Sequence, residues 1–93
     1  MKLIWSPTAL AHLRHAEAFI AADDPHAAAN TAKRILGAVE QLLEFPASGR
    51  PGKLPHTREL VVTGTPFFLP YRVKGDDVEI LGLIHGMRKW PED

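Results

Sequence analysis

The chain contains no cysteine among its 93 residues. Disulfides and thiolate metal sites are therefore excluded, and redox chemistry does not mark the compartment. Net charge is also missing, because eleven Lys and Arg balance eleven Asp and Glu. That balance argues against a general nucleic-acid coat held by bulk electrostatics. No apolar run approaches the roughly 18 residues that span a bilayer. The opening Met1-Lys-Leu-Ile-Trp-Ser-Pro7 lacks the apolar stretch of a secretory signal. The expectation is a cytoplasmic protein with no membrane partner. No phosphate-cradling glycine loop or nucleophile elbow is present, and no cofactor is expected.

What remains is a chain sized for one domain, residues 1–93. It exceeds the roughly 40 residues below which disulfides or metals are usually needed, so an ordinary apolar core suffices. Lys2-Leu-Ile-Trp5 reads as a first strand. Ser6-Pro7 ends it, since serine caps a helix and proline suits the first turn, where its absent N–H is not missed. Ala9, Leu13, Ala16 and Ile20, flanked by Leu10 and Phe19, follow one helical face. The same start recurs at Asp24-Pro25, before a stripe of Ala28, Ala32, Ile35, Val39 and Leu42 widened by Leu36 and Leu43. The short link between the two predicts an antiparallel hairpin.

The second helix ends before Pro46. Phe45 to about His56, with three prolines and two glycines, reads as a loop. Ordered loops of this length are often functional. Three strand-like runs follow, Arg58–Thr63, Pro66–Lys74 and Asp77–His85, with turn chemistry at Gly64-Thr65 and Gly75-Asp76. Pro70 removes a ladder donor inside the second run, which predicts either a bulge or a donor side turned from any neighbour. The order is α+β: a helical hairpin covering one face of a small antiparallel sheet.

These last runs carry ionisable side chains that a purely structural sheet does not need: Arg58, Arg72, His85 and, just beyond, Arg88. Arginine donates two parallel hydrogen bonds to phosphate, and histidine moves protons near neutral pH. Together they would suit an anion-binding or phosphoryl-transfer surface. The alternatives are ordinary pairing of each arginine with Glu59, Glu79 or the C-terminal acids, and a structural hydrogen bond for His85. Arg50, Lys53, His56 and Arg58 gather without an intervening acid, which predicts a basic rim. Parity sets Arg58 with Leu60 and Val62, and Arg72 with Phe68 and Pro70; whether those faces coincide depends on register. His12 and His15 stand three apart on the first helix, but no carboxylate–histidine motif accompanies them and no metal is expected.

In their order, Ile4–Leu10, Ile20–Pro25, Phe45–Gly52, Thr57–Val62, Pro66–Val73 and Val78–Arg88 before Trp90-Pro91 resemble the RelE/ParE superfamily. Its members are toxins of bacterial type II toxin–antitoxin systems. The resemblance covers nearly the whole chain. It implies a helical hairpin on an antiparallel sheet, and neutralisation by a cognate antitoxin whose flexible segment wraps the toxin. A groove between helices and a free sheet edge suit that mode.

Within the superfamily, RelE-like members cut messenger RNA on the ribosome, using a basic cluster and often a tyrosine near the C-terminus. ParE-like members lack that set and poison DNA gyrase. The nuclease group often has an arginine three residues before the tyrosine of the penultimate strand, and here that position is Phe68. No tyrosine follows His85, and Tyr71 is the sole one. The resemblance is thus closer to the ParE branch, among which the His85-Gly-x-Arg88 ending looks common. It implies a non-enzymatic gyrase inhibitor that meets nucleic acid only indirectly. Its target-binding candidates are Arg50, Lys53, Arg58, Arg72, His85 and Arg88. The alternative is a ribosome-dependent endoribonuclease in which Arg58, Arg72 and His85 bind and cleave the phosphodiester. A third possibility is a degenerate member that binds an antitoxin and little else.

Overall fold

The structure, a computed structural model, describes residues 1–91. Along the chain run β1 (Lys2–Trp5), α1 (Pro7–Ala21), α2 (Pro25–Gln41), β2 (Arg50–Pro51), β3 (Arg58–Val61), β4 (Phe67–Lys74), β5 (Asp77–Ile80) and β6 (Ile84–His85). Both helices start as their sequences dictate. Ser6 Oγ accepts the Ala9 N–H at 3.0 Å, and Asp24 Oδ1 accepts the N–H groups of His26 and Ala27 at 3.0 and 3.2 Å. Each helix has proline in its first turn. Among the described residues no helix is long and apolar enough to cross a membrane.

The sheet runs β1-β5-β4-β3-β2, with β6 pairing β4 beyond the end of β5. The expected α+β architecture holds with one refinement: β1 lies parallel to β5, Leu3 opposite Val78 and Trp5 opposite Ile80. The sheet is mixed rather than wholly antiparallel. A parallel neighbour needs a long crossover, and the helical hairpin between β1 and the other strands supplies it. Leu69, Tyr71, Val78 and Ile80 face the helices and meet Ala9, Ile35, Val39 and Leu42 in one core. Leu36 and Leu43, read as widening the buried stripe, are instead 47% and 39% exposed.

Two segments differ from expectation. The run Asp77–His85 is not one strand. Tyr71 stands opposite Ile80 and Phe68 opposite Ile84. The Leu81 N–H reaches the Pro70 carbonyl at 2.8 Å, so Gly82 and Leu83 together oppose Leu69. Two residues against one is the spacing of a bulge. Proline, having no N–H, cannot return a bond to Leu81, and the ladder breaks there. The predicted loop also contains strand β2, Arg50 opposite Glu59 and Pro51 opposite Arg58. Proline in the run disguised it, yet an edge strand tolerates proline.

Candidate functional site

His85 and Arg88 lie by the start of β4, and Arg58 and Arg72 lie toward its end. At its start, β6 pairs His85 with Phe67, and the two rings meet edge-on with centroids 5.8 Å apart. The His85 Nδ1 accepts the Met87 N–H at 3.2 Å, and the Arg88 N–H reaches the His85 carbonyl at 2.8 Å. A compact hook thus presents His85 and Arg88. Facing it across the bulge, His12 Nδ1 on α1 accepts the Leu83 N–H at 3.2 Å. A ring nitrogen that accepts carries no proton, so the proton of each neutral ring resides on Nε2.

Between α1 and the hook lies a groove of about 560 Å³, lined by His12, His15, Phe19, Phe67, His85, Arg88 and Trp90 among others. Phe19 is 76% exposed beside it. Sequence reading picked out His85 and Arg88 but not the aromatic walls. The three-residue spacing of His12 and His15 was the signal for the α1 wall. Among the described residues no three His, Asp or Glu gather to hold a metal ion.

The arginines lie elsewhere. Register sets Arg58 opposite Tyr71 on the helix-covered face, and Arg72 opposite Glu79 on the open face. Arg58 Nη1 donates to the Gly49 carbonyl at 2.9 Å, and Arg72 Nε donates to Glu79 Oε1 at 2.6 Å. Arg50 Nε and Nη2 both lie 3.0 Å from Glu59 Oε1, with the guanidinium 5.4 Å from the Phe68 ring centroid. Arg50 and Arg72 thus make the glutamate pairs weighed as the alternative to function. Lys53 is exposed between β2 and β3. His85 pairs with Phe67, five positions from Arg72 along β4 and so about 17 Å away. The expected single cluster of Arg58, Arg72, His85 and Arg88 is therefore not assembled, because strand parity and the length of β4 divide it.

Residues 3–90 match the family described as "ParE toxin of type II toxin-antitoxin system, parDE". The chain belongs to the ParE toxin family. "Putative toxin Y4kP" of Sinorhizobium fredii (strain NBRC 101917 / NGR234) is 46% identical over 91 residues, covering 98% of this chain and 94% of that one. A chain of the chromosomal ParDE TA system from P. aeruginosa is similar in structure, with a TM-score of 0.81 and 30% identity. That match covers 91% of this chain and 95% of the other.

In this ParE chain Phe68 and Tyr71 both serve the fold. Phe68 is buried beneath Arg50 and beside Ile84. The Tyr71 hydroxyl accepts the Gly49 N–H and donates to the Pro46 carbonyl, each at 2.8 Å. Both its ordinary hydrogen-bonding roles are filled.

Proposed function

We propose that this ParE chain is the toxin of a type II toxin–antitoxin pair, held inactive in the cytoplasm by a cognate antitoxin. We further infer that it inhibits DNA gyrase by binding rather than by cleaving RNA. The carrying observation is the dispersal of the groups that phosphodiester cleavage requires. Arg58 and Arg72 are turned to opposite faces and engaged with Gly49 and Glu79. His85 stands at the far end of β4, Tyr71 is committed to the loop, and Phe68 is apolar where a cation would be wanted. General acid–base catalysis needs its groups within hydrogen-bond reach of one phosphate, and these are not. A binding toxin has no such requirement, and His85, Arg88 and the groove beside them form its target-facing end, with Arg58 and Arg72 toward the other, Arg50 over Phe68 between them, and Lys53 on the β2–β3 connection.

The antitoxin reading rests on the ParDE system of the structural neighbour and on apolar surface left by the helices. Leu10, Leu36, Leu43 and Phe45 are 37%, 47%, 39% and 62% exposed, which suits an amphipathic segment laid across the hairpin. The deciding experiment adds purified toxin to gyrase supercoiling and to ribosome-programmed mRNA cleavage in parallel. Supercoiling should be lost and mRNA left intact, with activity restored by the product of an adjacent antitoxin gene. Cleaved mRNA with untouched supercoiling would overturn the proposal.

A further inference from the structure

The end of β4 overhangs its neighbour. β3 begins with Arg58 opposite Tyr71, yet β4 continues to Lys74 and there pairs with β5 alone, Val73 opposite Val78. In an antiparallel ladder, alternate residues direct both N–H and C=O to opposite edges of the strand. The Pro70 carbonyl accepts the Leu81 N–H, and the Phe67 carbonyl accepts the Val62 N–H at 3.0 Å. Odd-numbered positions therefore face β3, and the Val73 main chain faces the place where β3 is missing.

The chain that could have continued β3 turns away instead. His56 adopts a φ of 63°. The Thr57 N–H and Oγ1 both donate to the Leu54 carbonyl, at 3.3 and 2.7 Å. The Gly52 N–H closes the turn on the Thr57 carbonyl at 2.9 Å. This leaves a notch of about 340 Å³ walled by Pro51, His56, Arg58, Arg72 and Val73.

Among the described residues no acidic one lines this notch. Glu79 engages Arg72 through Nε. Arg58 uses Nη1 on the Gly49 carbonyl. Each guanidinium carries five N–H donors, so both are held in place with donors remaining. Val73 adds a side chain that is 45% exposed.

We propose that this notch recognises an extended acidic segment of a protein partner. The segment's backbone pairs with Val73 as a short added strand, and its carboxylates bind Arg58 and Arg72. It is extended because a strand edge pairs with an extended backbone. It is acidic because the walls are cationic, and a peptide because a nucleic acid has no backbone N–H and C=O array to match the edge. The inference is independent of whether gyrase is the toxin's target.

The test titrates ¹⁵N-labelled full-length chain at low ionic strength with three probes: capped Val-Asp-Asp-Asp-Asp-Val, whose consecutive carboxylates reach both faces of the strand, its lysine counterpart, and hexauridylate. The acidic peptide alone should shift the Val73 amide and slow its exchange. Arg72→Gln should weaken that binding by about tenfold, as loss of one charge-assisted bond implies. Val73→Pro, which removes the edge donor, should abolish it, with the spectrum of each variant checking that the fold persists. Equal binding of the lysine peptide, a response only to hexauridylate, shifts confined to other residues, or no shift at millimolar peptide would each overturn the proposal.

Discussion

The Tyr71 hydroxyl accepts the Gly49 N–H at 2.8 Å in the closed interior of the fold. It also donates to Pro46, so one phenol fixes the start of the chain between α2 and β2. The fit is tight, since a Cβ on Gly49 would lie 2.6 Å from Tyr71 Cε1. Tyr71→Phe leaves the buried Gly49 N–H unpaired at a cost of about 1–3 kcal/mol. Urea unfolding should show a lower midpoint with an unchanged slope. Gly49→Ala should destabilise the fold more, because the clash involves the ring itself as well as its hydroxyl.

The two arginine–glutamate pairs of the open face look alike in sequence but differ in burial. The Glu59 side chain is 8% exposed beneath Arg50, whereas those of Arg72 and Glu79 are 42% and 25% exposed. Arg50→Ala strands a nearly buried carboxylate and uncovers Phe68, for a loss of about 1–3 kcal/mol. Arg72→Ala should cost less than about 1 kcal/mol, as exposed pairs do. Denaturant melts of both variants check the order, and equal losses would mean that burial does not set these values.

The helix caps were fully legible in sequence, and their energies should be unequal. Asp24→Ala removes an exposed cap and should cost about 1 kcal/mol. Ser6→Ala removes a cap whose residue also joins the sheet: the Ser6 N–H donates to the Ile80 carbonyl at 3.0 Å, and its hydroxyl lies 3.4 Å from the Leu81 carbonyl. Its loss should exceed that of Asp24→Ala. The sites share no partner, so the double variant should lose the sum of the two in thermal unfolding.

Much of the architecture was readable because local rules and the global fold agree. Ser6-Pro7 and Asp24-Pro25 announce helix starts, and Gly75-Asp76 announces the β4–β5 turn. Pro70 correctly pointed to an irregularity, but the irregularity resides on the partner strand at Gly82 and Leu83, which no pattern within β4 could specify. Strand β2 was hidden for a related reason: Pro51 is permitted only because that strand is an edge, and edges are a property of the whole sheet. Convergence of Arg58 and Arg72 depended on register, which is non-local. Glu59 and Glu79 were foreseeable partners for arginines, though which arginine each would take was not. His12 was visible as a spacing; its bond to Leu83, 71 positions away, was not.

The two ends of β4 can be separated by function. Arg88 lies on the groove between α1 and the C-terminal hook, while Lys33 is exposed on α2 and does not line that groove. Arg88→Glu should raise the toxin concentration needed to half-inhibit supercoiling by about tenfold or more, the scale of an interface anchor. Lys33→Glu makes the same change in net charge and should leave inhibition unaltered. Thermal unfolding of each variant separates a lost contact from a lost fold. If the two reversals weaken inhibition equally, bulk charge rather than the groove governs the encounter, and the assignment of the hook to target binding fails. If neither does, the target-facing surface lies elsewhere on the chain.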